Sequence, residues 1–75
     1  MNDDQILPVA DLRRILSQQC EMAGGRLAWS RRHGIQPSVV TETISGKRDP
    51  SERVINAMGY VRVERFMPIK RGSNV

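Results

Sequence analysis

Arginine dominates the chemistry that this sequence offers. Ten of its twelve basic residues are arginines, set against eight acids for a formal charge of +4. A guanidinium is a planar fork that suits phosphate and guanine, whereas lysine is a compact point charge. The charge is also uneven. Residues 1–25 carry four acids and two bases, while residues 26–75 carry ten bases and four acids. A polyanion partner is favoured, with the basic side starting near Arg26. The competing reading is a positive surface that merely keeps a small protein in solution.

Other reactive side chains are sparse. The single cysteine, Cys20, has no internal disulfide partner, and with the single histidine, His33, it makes no ordinary structural zinc set. Cys20 falls on the apolar phase of a helical pattern with no base beside it, so it reads as a core hydrophobe rather than a nucleophile. His33 reads as a half-buried packing residue and Trp29 as core. Nothing assembles a nucleophile, a base and an oxyanion site, so no enzyme is expected. Three aromatics in 75 residues, Trp29, Tyr60 and Phe66, argue against a deep apolar pocket, and neither a cofactor nor a small-molecule ligand is expected. The acidic start lacks the basic character of a secretory leader, and no apolar run approaches a membrane span. A cytoplasmic protein with a reduced Cys20 and no membrane contact is the expectation.

The elements that must position these groups follow from spacing. Residues 1–7 form an N-terminal arm without a defensible period. Val9, Leu12, Ile15, Leu16, Cys20 and Ala23 recur at helical spacing, with Arg13, Arg14, Gln18 and Glu21 off the stripe. Pro8 suits the first turn and Gly24-Gly25 the stop, so a first helix is predicted over 9–23. A second runs from Arg26 to His33 and ends at Gly34, with Leu27, Ala28, Trp29 and Ser30 as its apolar-to-small side. Pro37 opens a third, which buries Val40 and Ile44 and stops at Gly46. Asp49-Pro50-Ser51-Glu52 reads as a capping box with Asp49 as N-cap. The fourth helix behind it buries Val54, Ile55, Ala57 and Met58 and ends at Gly59. Val61, Val63 and Met67 alternate with Arg62, Glu64 and Phe66, which predicts a short C-terminal β-strand within 60–68. Residues 69–75 read as a flexible basic tail.

The second and third helices, joined across Gly34, have the makings of a helix-turn-helix. Ser30 is the small residue at the crossing, Gly34 opens the turn, Ile35 plugs it, and Val40 with Ile44 lock the third helix down. Such a unit leaves the start of its third helix protruding on the scale of a DNA major groove.

The run from Trp29 through Val40, with Ile44-Ser45-Gly46-Lys47-Arg48-Asp49-Pro50-Ser51 behind it, resembles helix-turn-helix regulators of the phage repressor Cro/CI (XRE-like) type. The resemblance covers about half the chain. Ser30 stands where that family more often has alanine, Gln36 where it caps with serine, and Ser45 where asparagine is frequent. The resemblance implies a mainly α, four-helix phage-repressor-like domain over 8–59, closed by the short strand. It also implies site residues: Arg26 on phosphate; Gln36, Ser38, Val39, Thr41 and Glu42 along the base-reading side; Ser45 at a backbone or phosphate contact; Lys47 and Arg48 as backbone clamps. Ser38 and Thr41 suit several bases and Val39 a thymine methyl. Glu42 repels phosphate, but accepts from cytosine N4 or orients a nearby arginine.

The expected function is a sequence-specific DNA-binding transcriptional regulator, a repressor of phage or mobile-element type on a near-palindromic operator. Double-stranded DNA and a second copy are its expected partners. The strand would pair with its twin and bury Val61, Val63, Phe66 and Met67, setting two recognition helices about 34 Å apart. The alternative is a protein-interaction adaptor, with the same body facing RNA polymerase, a toxin or another repressor.

Overall fold

The computed structural model describes residues 6–64 and Pro68. The protein is mainly helical: α1 (Val9–Ala23), α2 (Arg26–His33), α3 (Pro37–Ser45) and α4 (Glu52–Ala57) follow in order. The first three helices pack against one another pairwise. Val54 of α4 and Met58 just beyond it close the core, joining Leu16 and Cys20 of α1, Trp29 of α2, Ile35 of the turn and Val40 of α3. Leu16, Val40 and Val54 are completely shielded from solvent.

One device ends every helix. The amide of Gly25 donates to Cys20 O (2.8 Å), that of Ile35 to Ser30 O (3.0 Å), Lys47 to Glu42 O (3.0 Å) and Tyr60 to Ile55 O (3.0 Å). Each bond spans five residues and straddles a glycine in the left-handed region, the Schellman arrangement that satisfies the last carbonyls of a helix. The predicted stops at Gly24, Gly34, Gly46 and Gly59 are all met in this way.

The starts are less uniform. Pro8 is the residue before α1 rather than within it, and its carbonyl accepts from Asp11 N and Leu12 N at 3.0 and 3.1 Å. The capping box expected at Asp49 is not formed. Ser51 is the N-cap, its Oγ accepting from Val54 N at 3.3 Å. Pro50 is buried instead of opening the helix, and the Asp49 carboxylate is almost wholly in solvent. The shift follows from Pro50: its ring packs inward and the chain stays extended through Ser51, so the helix starts two residues later. Val54, Ile55 and Met58 are buried as expected.

Two other expectations are corrected. Leu27 is 49% exposed, because four consecutive helical residues spread over most of a full turn and only Trp29 and Ser30 face the core. Residues 61–64 form no strand, and no strand occurs among the described residues. An isolated segment has no ladder to join, and side-chain bonds hold this one instead. Arg62 Nε donates to Glu52 Oε1 at 3.0 Å and Nη2 to Pro50 O at 2.7 Å. The rest of that predicted strand, including Phe66 and Met67, lies outside the described residues, as do residues 1–5 of the arm and the tail 69–75.

Candidate nucleic-acid interface

The link between α2 and α3 is Gly34-Ile35-Gln36. Gly34 has φ 66° and ψ 34°, a left-handed conformation that a side chain disfavours. Ser30 is buried, and its hydroxyl donates to Arg26 O at 2.7 Å, which removes the penalty of a polar atom at the crossing. Ile35 is buried as the plug. A second clamp comes from α4, where Arg53 Nη2 donates to Gly34 O at 2.8 Å. The turn is thus held from within by packing and from outside by a charged donor.

On α3 the inward side consists of Val40 and Thr43, with Val39 and Ile44 half-buried against the core. Thr43 was not among the predicted inward residues. Its hydroxyl donates back to Val39 O at 2.7 Å, so a β-branched side chain with a satisfied hydroxyl occupies a core position. Spacing alone would have flagged it, since Thr43 lies three residues beyond Val40.

Of the residues assigned to base reading, Gln36, Ser38 and Thr41 are exposed, and Ser45 is exposed with them. Ser38, Thr41 and Ser45 fall along one stripe of the helix, three and four residues apart. Val39 is half-buried and belongs as much to the core as to the outer face. No side chain caps the start of α3, where the Gln36 carbonyl accepts from Val39 N at 3.0 Å. Arg26, at the first position of α2, and Lys47, just beyond α3, are both exposed.

Glu42 and Arg48 form a closed pair. Arg48 Nε and Nη2 both reach Glu42 Oε1, at 3.0 and 2.8 Å, with each side chain a little under half exposed. The Glu42 carbonyl also accepts from Lys47 N at 3.0 Å, Arg48 N at 3.3 Å and Ser45 Oγ at 3.2 Å. Glu42 therefore anchors the loop after α3 through its backbone carbonyl, while its carboxylate engages the Arg48 guanidinium. It orients a nearby arginine, one of the two roles open to it from the sequence.

Three arginines that carried no predicted role brace this region. Arg13 of α1 donates through Nε to Thr43 O at 3.0 Å and through Nη2 to Arg48 O at 3.4 Å, beside Asp49 at 3.8 Å. It places a cation at the carbonyl end of α3, where the helix dipole favours one. Arg53 and Arg62 make the bonds already described. Arg13 directly follows Leu12 of the apolar stripe, a hint that it lies at the edge of the core. Nothing local marks Arg53, whose partner is nineteen residues away.

Elsewhere, Trp29 is buried, its ring centroid 4.4 Å from that of His33, and its Nε1 donates to Gln19 Oε1 at 3.3 Å. Cys20 is buried and free; burial pushes its thiol pKa up, partly opposed by the charge of Arg26. Among the described residues no three His, Cys, Asp or Glu side chains gather as metal ligands, and no helix is long and apolar enough to cross a membrane. An open groove of about 280 Å³ runs between the start of α1 and the segment after α4, lined by Leu7, Val9, Leu12, Ile55, Val61 and Val63 among others. No residue of α2 or α3 lines it.

Compared with protein-family models, with curated proteins and with solved structures, the chain matches none.

Proposed function

We propose that this protein is a sequence-specific DNA-binding transcriptional regulator that uses α2 and α3 as a helix-turn-helix of the phage-repressor kind. The observation that carries this reading is the outer stripe of α3. Ser38, Thr41 and Ser45 stand clear of a core that grips the opposite side through Val40 and Thr43. The hydroxyls of Ser38 and Thr41 are neutral donors and acceptors suited to base edges, while that of Ser45 already donates to Glu42 O. Arg26 and Lys47, exposed at the start of α2 and just past α3, supply charge for phosphates. The protein binds as a dimer through the face where Val61 and Val63 are 67% and 42% exposed, with Phe66 and Met67 as further candidates. Leu7 and Val9 are exposed on the same groove, and its separation from α3 leaves the recognition helix free. Two copies then meet successive major grooves of a near-palindromic operator, and repression follows from occupying a promoter.

Selection of bound duplexes from a random pool tests this. A two-fold-symmetric consensus is expected, together with binding that weakens steeply as salt rises. Lys47→Ala should weaken all sequences alike, whereas Ser38→Ala should change the preferred base at one position in each half-site. A pool that shows no enrichment refutes sequence reading.

A second reading, a protein-binding adaptor, draws on the neutrality of the same stripe. A face without a free cation also suits a protein partner. An unenriched pool together with a monomeric mass in solution would favour it.

A further inference from the structure

We propose that Glu42 limits how strongly this protein holds phosphate polyanions, by keeping Arg48 engaged at the exposed end of α3. The inference rests on the DNA-binding reading and deepens it. Arg48 stands in the loop after α3, where a free guanidinium would add a phosphate contact. Both its Nε and its Nη2 are instead turned onto one oxygen of Glu42, at 3.0 and 2.8 Å. The position of the loop does not require that carboxylate. The Glu42 carbonyl already holds the amides of Lys47 and Arg48, and Arg13 Nη2 reaches the Arg48 carbonyl. Exposed ion pairs of this kind contribute little to folding. What the carboxylate does change is charge. It cancels a cation beside the proposed reading face and presents a negative group to any phosphate that approaches. Charge-driven binding is the sequence-independent part of DNA affinity, so removing one contact lowers hold on all sequences and leaves more of the discrimination to base edges. Glu42 is thus a positioning residue that acts through Arg48.

The test compares wild type with Glu42→Gln, Arg48→Ala, and the double variant Glu42→Gln/Arg48→Ala. Glu21→Gln serves as a control: it removes an exposed carboxylate on α1 that has no ion pair among the described residues. Thermal melting establishes that each variant is folded, and the glutamine isostere leaves the carbonyl contacts of residue 42 intact. Two readouts are used: the salt at which each protein leaves immobilised heparin, and the affinity for random duplex DNA across a salt series. Glu42→Gln should elute later than Glu21→Gln, although the two carry the same net charge. On random duplex its log–log salt slope should steepen by about 0.9, the value for one added phosphate contact, which is roughly fivefold in affinity at 0.15 M salt. The double variant should return to the wild-type slope. The inference is overturned if Glu42→Gln elutes with Glu21→Gln, or if the double variant binds with a shallower slope than wild type, which would mean that Arg48 already contacts phosphate. A heparin shift without any enriched sequence in the random pool would support the charge restraint and sink the operator reading instead.

Discussion

Replacing Arg13 by methionine separates two kinds of contact that one guanidinium makes. Its Nε donates to Thr43 O at 3.0 Å, a part-buried bond linking α1 to the end of α3, while its Nη2 makes a long, exposed bond to Arg48 O at 3.4 Å and lies 3.8 Å from Asp49. The Asp49 side chain is 97% exposed, so that pair adds little. A hydrogen bond from a charged donor is worth about 1.5–3 kcal/mol. The lower end applies here, because Gly46 N continues to donate to the same carbonyl at 3.3 Å. Methionine keeps most of the apolar stem, so Arg13→Met should cost about 1.5 kcal/mol in all. A domain of this length has roughly 4–11 kcal/mol in total, which makes that a large fraction. With a urea m-value of about 1 kcal/mol/M, the midpoint should fall by about 1.5 M, and the melting temperature by roughly 6–12 °C. Asp49→Ala should cost less than about 0.5 kcal/mol. Repeating both in 1 M KCl, where charges are screened within about 3 Å, should leave the Arg13 effect in place. If Asp49→Ala proves as costly as Arg13→Met, or high salt abolishes the difference, the bond to the α3 carbonyl is not what Arg13 contributes.

Three further outcomes are expected. Leu16→Ala, at a position with no exposure, should lose about 2–5 kcal/mol, lowering the urea midpoint by about 2–5 M. Gly34→Ala should lose about 1–2 kcal/mol from its left-handed backbone, and its new Cβ would also sit 3.4 Å from the Arg53 guanidinium; an unchanged midpoint would contradict the strain argument. Burial raises the Cys20 thiol above its ordinary value of 9.0, so its contribution to stability is complete below that pH and declines as pH rises toward the folded value. Urea midpoints should therefore fall for wild type as pH rises above 9.0 and stay flatter for Cys20→Ala, and native Cys20 should resist thiol reagents until the chain unfolds.

The helices were legible because their punctuation is local. A glycine that must turn left-handed after an apolar stripe needs no tertiary knowledge, and Gly24, Gly34, Gly46 and Gly59 each mark a real end. The start of α4 was not legible, because Asp49 and Ser51 are both competent caps. The burial of Pro50, a tertiary fact, decided for Ser51. Residues 61–64 show the converse. Their alternation is real, but a strand requires a neighbour, and Arg62 reaching back to Glu52 and Pro50 was not visible in a period of two. At the candidate interface, the exposure of Gln36, Ser38, Thr41 and Ser45 followed from helical phase once Val40 was placed inward. The closure of Arg48 onto Glu42 depended on how the chain doubles back after Gly46, and only one of the two roles open to Glu42 anticipated it.

Arg13, Arg53 and Arg62 each donate to a main-chain carbonyl, while Arg31 and Arg32 are exposed without a partner among the described residues. These five arginines fall into two inheritable groups. The first group ties charge to folding, so a lineage that sheds those arginines, even for lysine, loses geometry before it loses charge. The second group is open to drift, and substitutions there move the isoelectric point with little effect on the fold. Among the described residues, descendants of this chain should therefore differ in net charge mainly at Arg31 and Arg32, and keep arginine itself at the bracing positions.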